Sequence, residues 1–126
     1  MKTQTIFCLS LCIIQVAPTK LSIGIRIPSA NQIYYAIKEA KPALWIRKDD
    51  IFIEAPPDEV ISAVEVTDLS KTNDGVVFVS SGDVGHRSIS LALRSPMVTK
   101  GYQFKVEVWS TDVKTYWFKL RNSTTS

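Results

Sequence analysis

The sequence predicts an all-β fold: a small, single-domain antiparallel β-sandwich or barrel without disulfides. Three observations carry this. First, apolar and polar residues alternate over long stretches. Tyr102, Phe104, Val106 and Val108 interleave with Gln103, Lys105, Glu107 and Trp109, and Ile89, Leu91 and Leu93 interleave with Ser88, Ser90, Ala92 and Arg94. A period of two places one set on a core face. Second, turn residues separate such segments at a spacing of about 8–12 residues, the mark of a sandwich or barrel. The connections are too short for crossover helices, so neighbouring strands are antiparallel. Third, Cys8 and Cys12 both lie in an N-terminal apolar run, so a domain that follows it has no cysteine to pair.

Each element follows from local chemistry. Leu21 to Ile27 alternates until Pro28. Ile33-Tyr34-Tyr35-Ala36-Ile37 suits a strand by residue type, and Pro42 ends it. Ala43 to Glu54 carries Leu44, Trp45 and Ile46, then Ile51, Phe52 and Ile53, around the charged stretch Arg47-Lys48-Asp49-Asp50. Pro56-Pro57-Asp58 is a turn. Val60 to Asp68 is a strand with Val60, Val64 and Val66 on one face, and Ser70 to Gly75 is a polar loop. Val76-Val77-Phe78-Val79 is a continuous apolar run, expected to be covered on both faces. After Val108, the stretch Ser110 to Lys114 reads as a turn into a last strand. There Tyr116, Phe118 and Leu120 face inward, and Trp117, Lys119 and Arg121 face outward.

Residues 1–20 read as a secretory signal: Lys2, then an apolar run from Ile6 to Ala17, with cleavage between about residues 17 and 24. The single β domain then covers 21–121, and 122–126 form a polar tail. About 105 residues suffice for one small domain. A hydrophobic content of 45% allows a core built by packing alone. Without Lys2 the chain has 14 basic and 12 acidic residues, a formal +2. That field is too weak to imply nucleic acid or an anionic membrane as partner. No second apolar run approaches the roughly 20 residues of a membrane span.

The chemistry-bearing residues form no catalytic pattern. His86 is the one histidine and stands in the turn Gly82 to Arg87. A nucleophilic triad or a zinc site finds no partners for it. Asp49-Asp50 reads as a solvated bend. Asp68 and Asp74 bracket a loop without the spacing of a calcium-binding EF-hand. Gly82 and Gly85 lack the following helix and Gly-Lys-Ser/Thr of a phosphate loop, so their role is a tight turn at positive φ. No metal and no cofactor is expected. Trp45, Trp109 and Trp117 are expected in core or sheet-face packing. If the last two strands pair, Trp109 and Trp117 share an outer face with Lys105, Lys119 and Arg121, which is the candidate binding face. Asn122-Ser123-Thr124 is a glycosylation sequon.

One pattern runs through most of the chain: Gly24-Ile25-Arg26, Ile61 to Asp68, Gly75, Ser81-Gly82-Asp83-Val84-Gly85, Leu91 to Ser95, and Lys100-Gly101-Tyr102-Gln103-Phe104-Lys105-Val106. It resembles the multiprotein bridging factor 2 family, also described as insect salivary secreted peptides. The motif positions are Gly24, Arg26, Asp68, Gly75, Gly82, Gly85, Ser95, Gly101 and Phe104. A family doublet of glycines is Gly82-Asp83 here, and residues beyond Trp109 extend past the usual family end. The resemblance implies small, exported, non-enzymatic β proteins. The expected function is therefore a secreted glycoprotein: an extracellular binding or effector domain of saliva, gut or defence. Its partner would be an extracellular protein or glycan, with no nucleic acid and no membrane insertion. The alternative is a transcriptional coactivator bridging a DNA-binding regulator to general factors. A third reading is a small hydrolase using two carboxylates.

Overall fold

The computed structural model describes residues 19–125. The apolar run read as an export leader, with Cys8 and Cys12, lies outside the described residues. Seven strands and one helix follow: β1 (Thr19–Gly24), β2 (Asn31–Ala40), β3 (Lys48–Glu54), β4 (Glu59–Asp68), β5 (Val76–Gly82), β6 (Ser88–Arg94), β7 (Tyr102–Asp112) and α1 (Val113–Thr125). They form a four-stranded sheet in the order β1-β4-β7-β2 and a three-stranded sheet in the order β3-β6-β5. Every pairing is antiparallel. The fold is thus all-β, as the alternation predicts, and of the two architectures offered it is the sandwich. Only β5 and β6 are both consecutive in the chain and paired; the other connections cross between sheets or between sheet edges.

The core lies between the sheets. Ile51 and Ile53 of β3 and Ile89, Leu91 and Leu93 of β6 meet Ile61, Val64 and Val66 of β4 and Phe104, Val106 and Val108 of β7. The β6 and β7 stripes are those the alternation predicts. In β4 the stripe differs. The register shifts between Ile61 and Ala63, so Ser62 is an extra residue in the ladder. A bulge reverses the parity of all that precedes it. Ile61 therefore joins Val64 and Val66 in the main core. Val60 turns to a second cluster with Ile27 and Tyr116.

Two further expectations are corrected. The run Val76 to Val79 is covered on one face only: Val77 and Val79 pack on the core, while Val76 and Phe78 are exposed. β5 is an edge strand of a sheet whose outer face has no covering layer among the described residues. The expected last strand is α1. Its cap is Asp112: the Thr115 N–H donates to Asp112 Oδ2 at 3.0 Å, and the Thr115 hydroxyl donates to Oδ1 at 2.6 Å. These bonds, first of all the hydroxyl's, hold the Asp112 carboxyl below its ordinary pKa. Tyr116 and Leu120 are four apart, so on a helix they share a face, which packs beside Ile27 and Val60. Phe118, expected inside, is exposed. The helix also takes in Asn122 and runs to Thr125.

Candidate functional site

The motif glycines hold the sandwich together. Gly24 has a φ of 85° and ends β1; a Cβ there would sit 2.1 Å from the Ser62 carbonyl oxygen. That carbonyl accepts from the Ile25 N–H at 2.8 Å, so the glycine keeps β1 against the β4 bulge. Gly75 is buried, and a Cβ on it would lie 2.4 Å from Cζ of Phe104. The ring of Phe104 thus closes on the backbone that leads into β5. Gly82 and Gly85 have φ of 75° and 83°, as the turn reading predicts.

Asp68 organises the loop between these parts. Its side chain is fully buried. Oδ1 accepts from the Ser70 N–H at 2.9 Å and from the Ser70 hydroxyl at 2.6 Å, and Oδ2 accepts from the Gly75 N–H at 3.1 Å. Ser95, also buried, accepts the Arg47 N–H at 2.8 Å. Arg26 lies 4.1 Å over the Trp109 ring and pairs with Glu65 at 3.0 Å. The motif set is therefore a scaffold of bends, a loop anchor and a clasp from the segment after β1 onto β4 and β7.

The candidate binding face is not formed. It requires two paired strands, and the second is a helix. Trp109 does lie on the outer side of β7, but it is 8% exposed beneath the Arg26 guanidinium. Trp117 is on α1, 48% exposed, with its ring set edge-on to Tyr116 at 5.1 Å. Lys105 stays on β7, 3.9 Å from Glu107, whereas Lys119 and Arg121 belong to α1. Strand parity no longer relates these groups.

A different surface emerges at the end of the sandwich where β2 leads into β3 and β6 into β7. Leu44, Trp45 and Ile46 of one connection and Met97 and Val98 of the other are all exposed. Trp45 was expected in packing and is instead 64% exposed. The sequence signal for this surface was present: apolar residues in segments that Pro42 and Pro96 keep out of regular strands. Pro42, Ala43, Leu44 and Thr99 line an open cleft of about 270 Å3 there. Among the described residues no group of His, Cys, Asp and Glu is placed to hold a metal ion. No described helix is long and apolar enough to cross a membrane.

These features define a small antiparallel sandwich with a rigid scaffold of glycine bends and an apolar loop end. Comparison with known families then places it: the family described as "Transcription activator MBF2" matches residues 23–110, from within β1 to near the end of β7, and the chain belongs to that family. Comparison with curated proteins and with solved structures gives no match. The resemblance drawn from the glycine and strand motifs is thereby shown, and its functional reading is corrected. A family of transcription activators overturns the expectation of a secreted salivary, gut or defence glycoprotein. It equally overturns the expected extracellular partner and the exclusion of nucleic acid. The N-terminal apolar run, the weak net charge and the secreted-peptide side of the resemblance carry those expectations.

Proposed function

We propose that this protein is a transcriptional coactivator that works in the nucleus, bridging a DNA-binding regulator to general transcription factors, and performs no catalytic step. The observation that carries the reading is the match of a transcription activator family to residues 23–110. The architecture supports it. A bridge needs a rigid body with more than one contact surface. The apolar loop end is one; the outer face of the three-stranded sheet, with Phe52 and Phe78 exposed, is another. Single exposed apolar residues are ordinary, but clusters of them mark contact sites.

The test is a reconstituted transcription reaction containing a promoter-bound regulator, the general factors and the full chain. Transcript yield is expected to rise on adding the chain, and only when the regulator's site is on the template. An unchanged yield across regulators refutes the proposal, as does exclusion of the tagged full chain from nuclei.

A further inference from the structure

We propose that the loop end built from residues 41–48 and 95–100 docks an acidic peptide segment carrying bulky apolar side chains. This rests on the coactivator reading and names the kind of partner that one of its surfaces takes.

The apolar side chains stand in solvent on a fixed frame. Leu44 is 84% exposed, and Trp45, Ile46, Met97 and Val98 share its loop end. Four hydrogen bonds fix the two connections. The Thr99 N–H donates to the Ala43 carbonyl at 2.7 Å, and the Ser95 N–H to the Arg47 carbonyl at 2.9 Å. The Arg47 N–H donates to Ser95 Oγ at 2.8 Å, and Arg47 Nη1 to the Lys41 carbonyl at 2.8 Å. A cluster held in this way has already lost the backbone freedom that binding would otherwise remove, which favours docking. A tryptophan at its centre is the residue type that dominates interface energetics.

The charges select the occupant. Residues 41–48 and 95–100 include Lys41, Arg47, Lys48 and Lys100 and no carboxylate. Lys100 reaches Asp74 at 3.9 Å; Lys41 and Lys48 have no ion pair among the described residues. Of the acids beside the patch, Asp49 lies 4.0 Å from Lys38 and Asp50 lies 3.2 Å from Arg94, while Glu39 shares a cleft with Lys41 and Lys100 and leaves the cations in the majority there. Apolar anchors with a cationic rim match a segment of Asp and Glu interspersed with Leu, Phe or Trp. The anchors supply desolvation, and the rim supplies steering and register. A second copy of this chain fits less well, because a two-fold interface would set the same four cations against one another.

The experiment uses the full chain and a fluorescent synthetic peptide of Asp and Glu with interspersed Phe and Leu, read by anisotropy. Two control peptides replace the apolar residues by Ala or the acids by Asn and Gln. Binding is expected for the first peptide and loss of it for both controls. Trp45→Ala is expected to weaken binding about thirtyfold or more, a hot-spot loss. K41E/K48E is expected to weaken it further and to flatten its salt dependence. Both variants alter exposed side chains, and unchanged circular dichroism and melting show that the fold is kept. Equal affinity of wild type, Trp45→Ala and K41E/K48E overturns the proposal. So does binding to anionic phospholipid vesicles with none to the peptide, or self-association that Trp45→Ala abolishes. Wild-type activation in the transcription reaction alongside unaffected peptide binding by the variants rejects this surface alone. Absence of wild-type activation rejects the coactivator reading instead.

Discussion

Replacing Asp68 by alanine should destabilise the domain out of proportion to the side chain's size. The buried carboxyl group accepts three hydrogen bonds, from Ser70 N–H, Ser70 hydroxyl and Gly75 N–H. Alanine leaves all three donors without that acceptor. Gly75 is buried, so its N–H loses its partner away from water, a loss of about 1–3 kcal/mol. Ser70 is only partly buried, and its two donors can turn to solvent, each bond then counting for about 0.5–1.5 kcal/mol. The expected total is about 2–6 kcal/mol, a large share of the roughly 5–15 kcal/mol that folds a small domain. Asp68→Asn keeps one acceptor oxygen and should lose less than alanine, but still more than nothing, because its amide NH2 turns a donor toward donors. Urea unfolding followed by tryptophan fluorescence is the assay. With a slope of about 1–2 kcal/mol/M for a domain of this size, Asp68→Ala should lower the midpoint by about 1–6 M at an unchanged slope. A midpoint within about 0.5 M of wild type would refute the reasoning, since the loop then holds without its anchor.

Gly24→Ala should cost about 2 kcal/mol or more in the same melt, because it combines positive φ with a contact of 2.1 Å to the Ser62 carbonyl; a neutral effect would show that β1 can shift off β4. Burial, and after it the charge of Asp83, raises the Tyr116 hydroxyl above its ordinary pKa. The folded state therefore holds the proton longer than the unfolded chain, and stability should fall as the pH rises past about 10. Tyr116→Phe should reduce that alkaline slope, and an identical slope in a pH series of melts counts against it. Asp112→Ala should fray the start of α1 and lower ellipticity at the helix minimum. In wild type the same fraying should appear as the pH falls below the carboxylate range, because the Asp112 carboxyl is held low by Thr115. Unchanged ellipticity in the variant would show that packing of Tyr116, not the cap, starts the helix.

The strands of the two central stripes were legible because Ile89 to Leu93 and Tyr102 to Val108 repeat with period two for long enough to exclude a helix. Three features were not, each for a physical reason. Tyr116, Phe118 and Leu120 satisfy period two, while Tyr116 and Leu120 alone satisfy the helical spacing of four, and the Asp112 cap decided between them. The bulge at Ser62 leaves no mark in residue type; it sits where Gly24 approaches the β4 backbone. The loop end was hidden because Leu44-Trp45-Ile46 reads as apolar packing, and only the hydrogen bonds to Ser95 and from Thr99 show that it is held outward. The family was legible in glycines that prove structural. Those residues report the scaffold and say little about where the molecule acts, so they could not weigh the export reading against the coactivator one.

The position of β7 has a consequence for how the chain is made. It is the last strand and lies between β4 and β2, with Asn31 opposite Ser110 and Asp68 opposite Phe104. Until it emerges from the ribosome, β2 has no partner, β4 has only β1, and the larger sheet cannot close. Nascent chains ending before Tyr102 would display open strand edges and the unfilled half of the core, the exposures that chaperones recognise and that seed aggregation. Closure by such distant pairings is slow relative to local structure. Interruption of synthesis before β7 is thus the point at which this domain is most vulnerable.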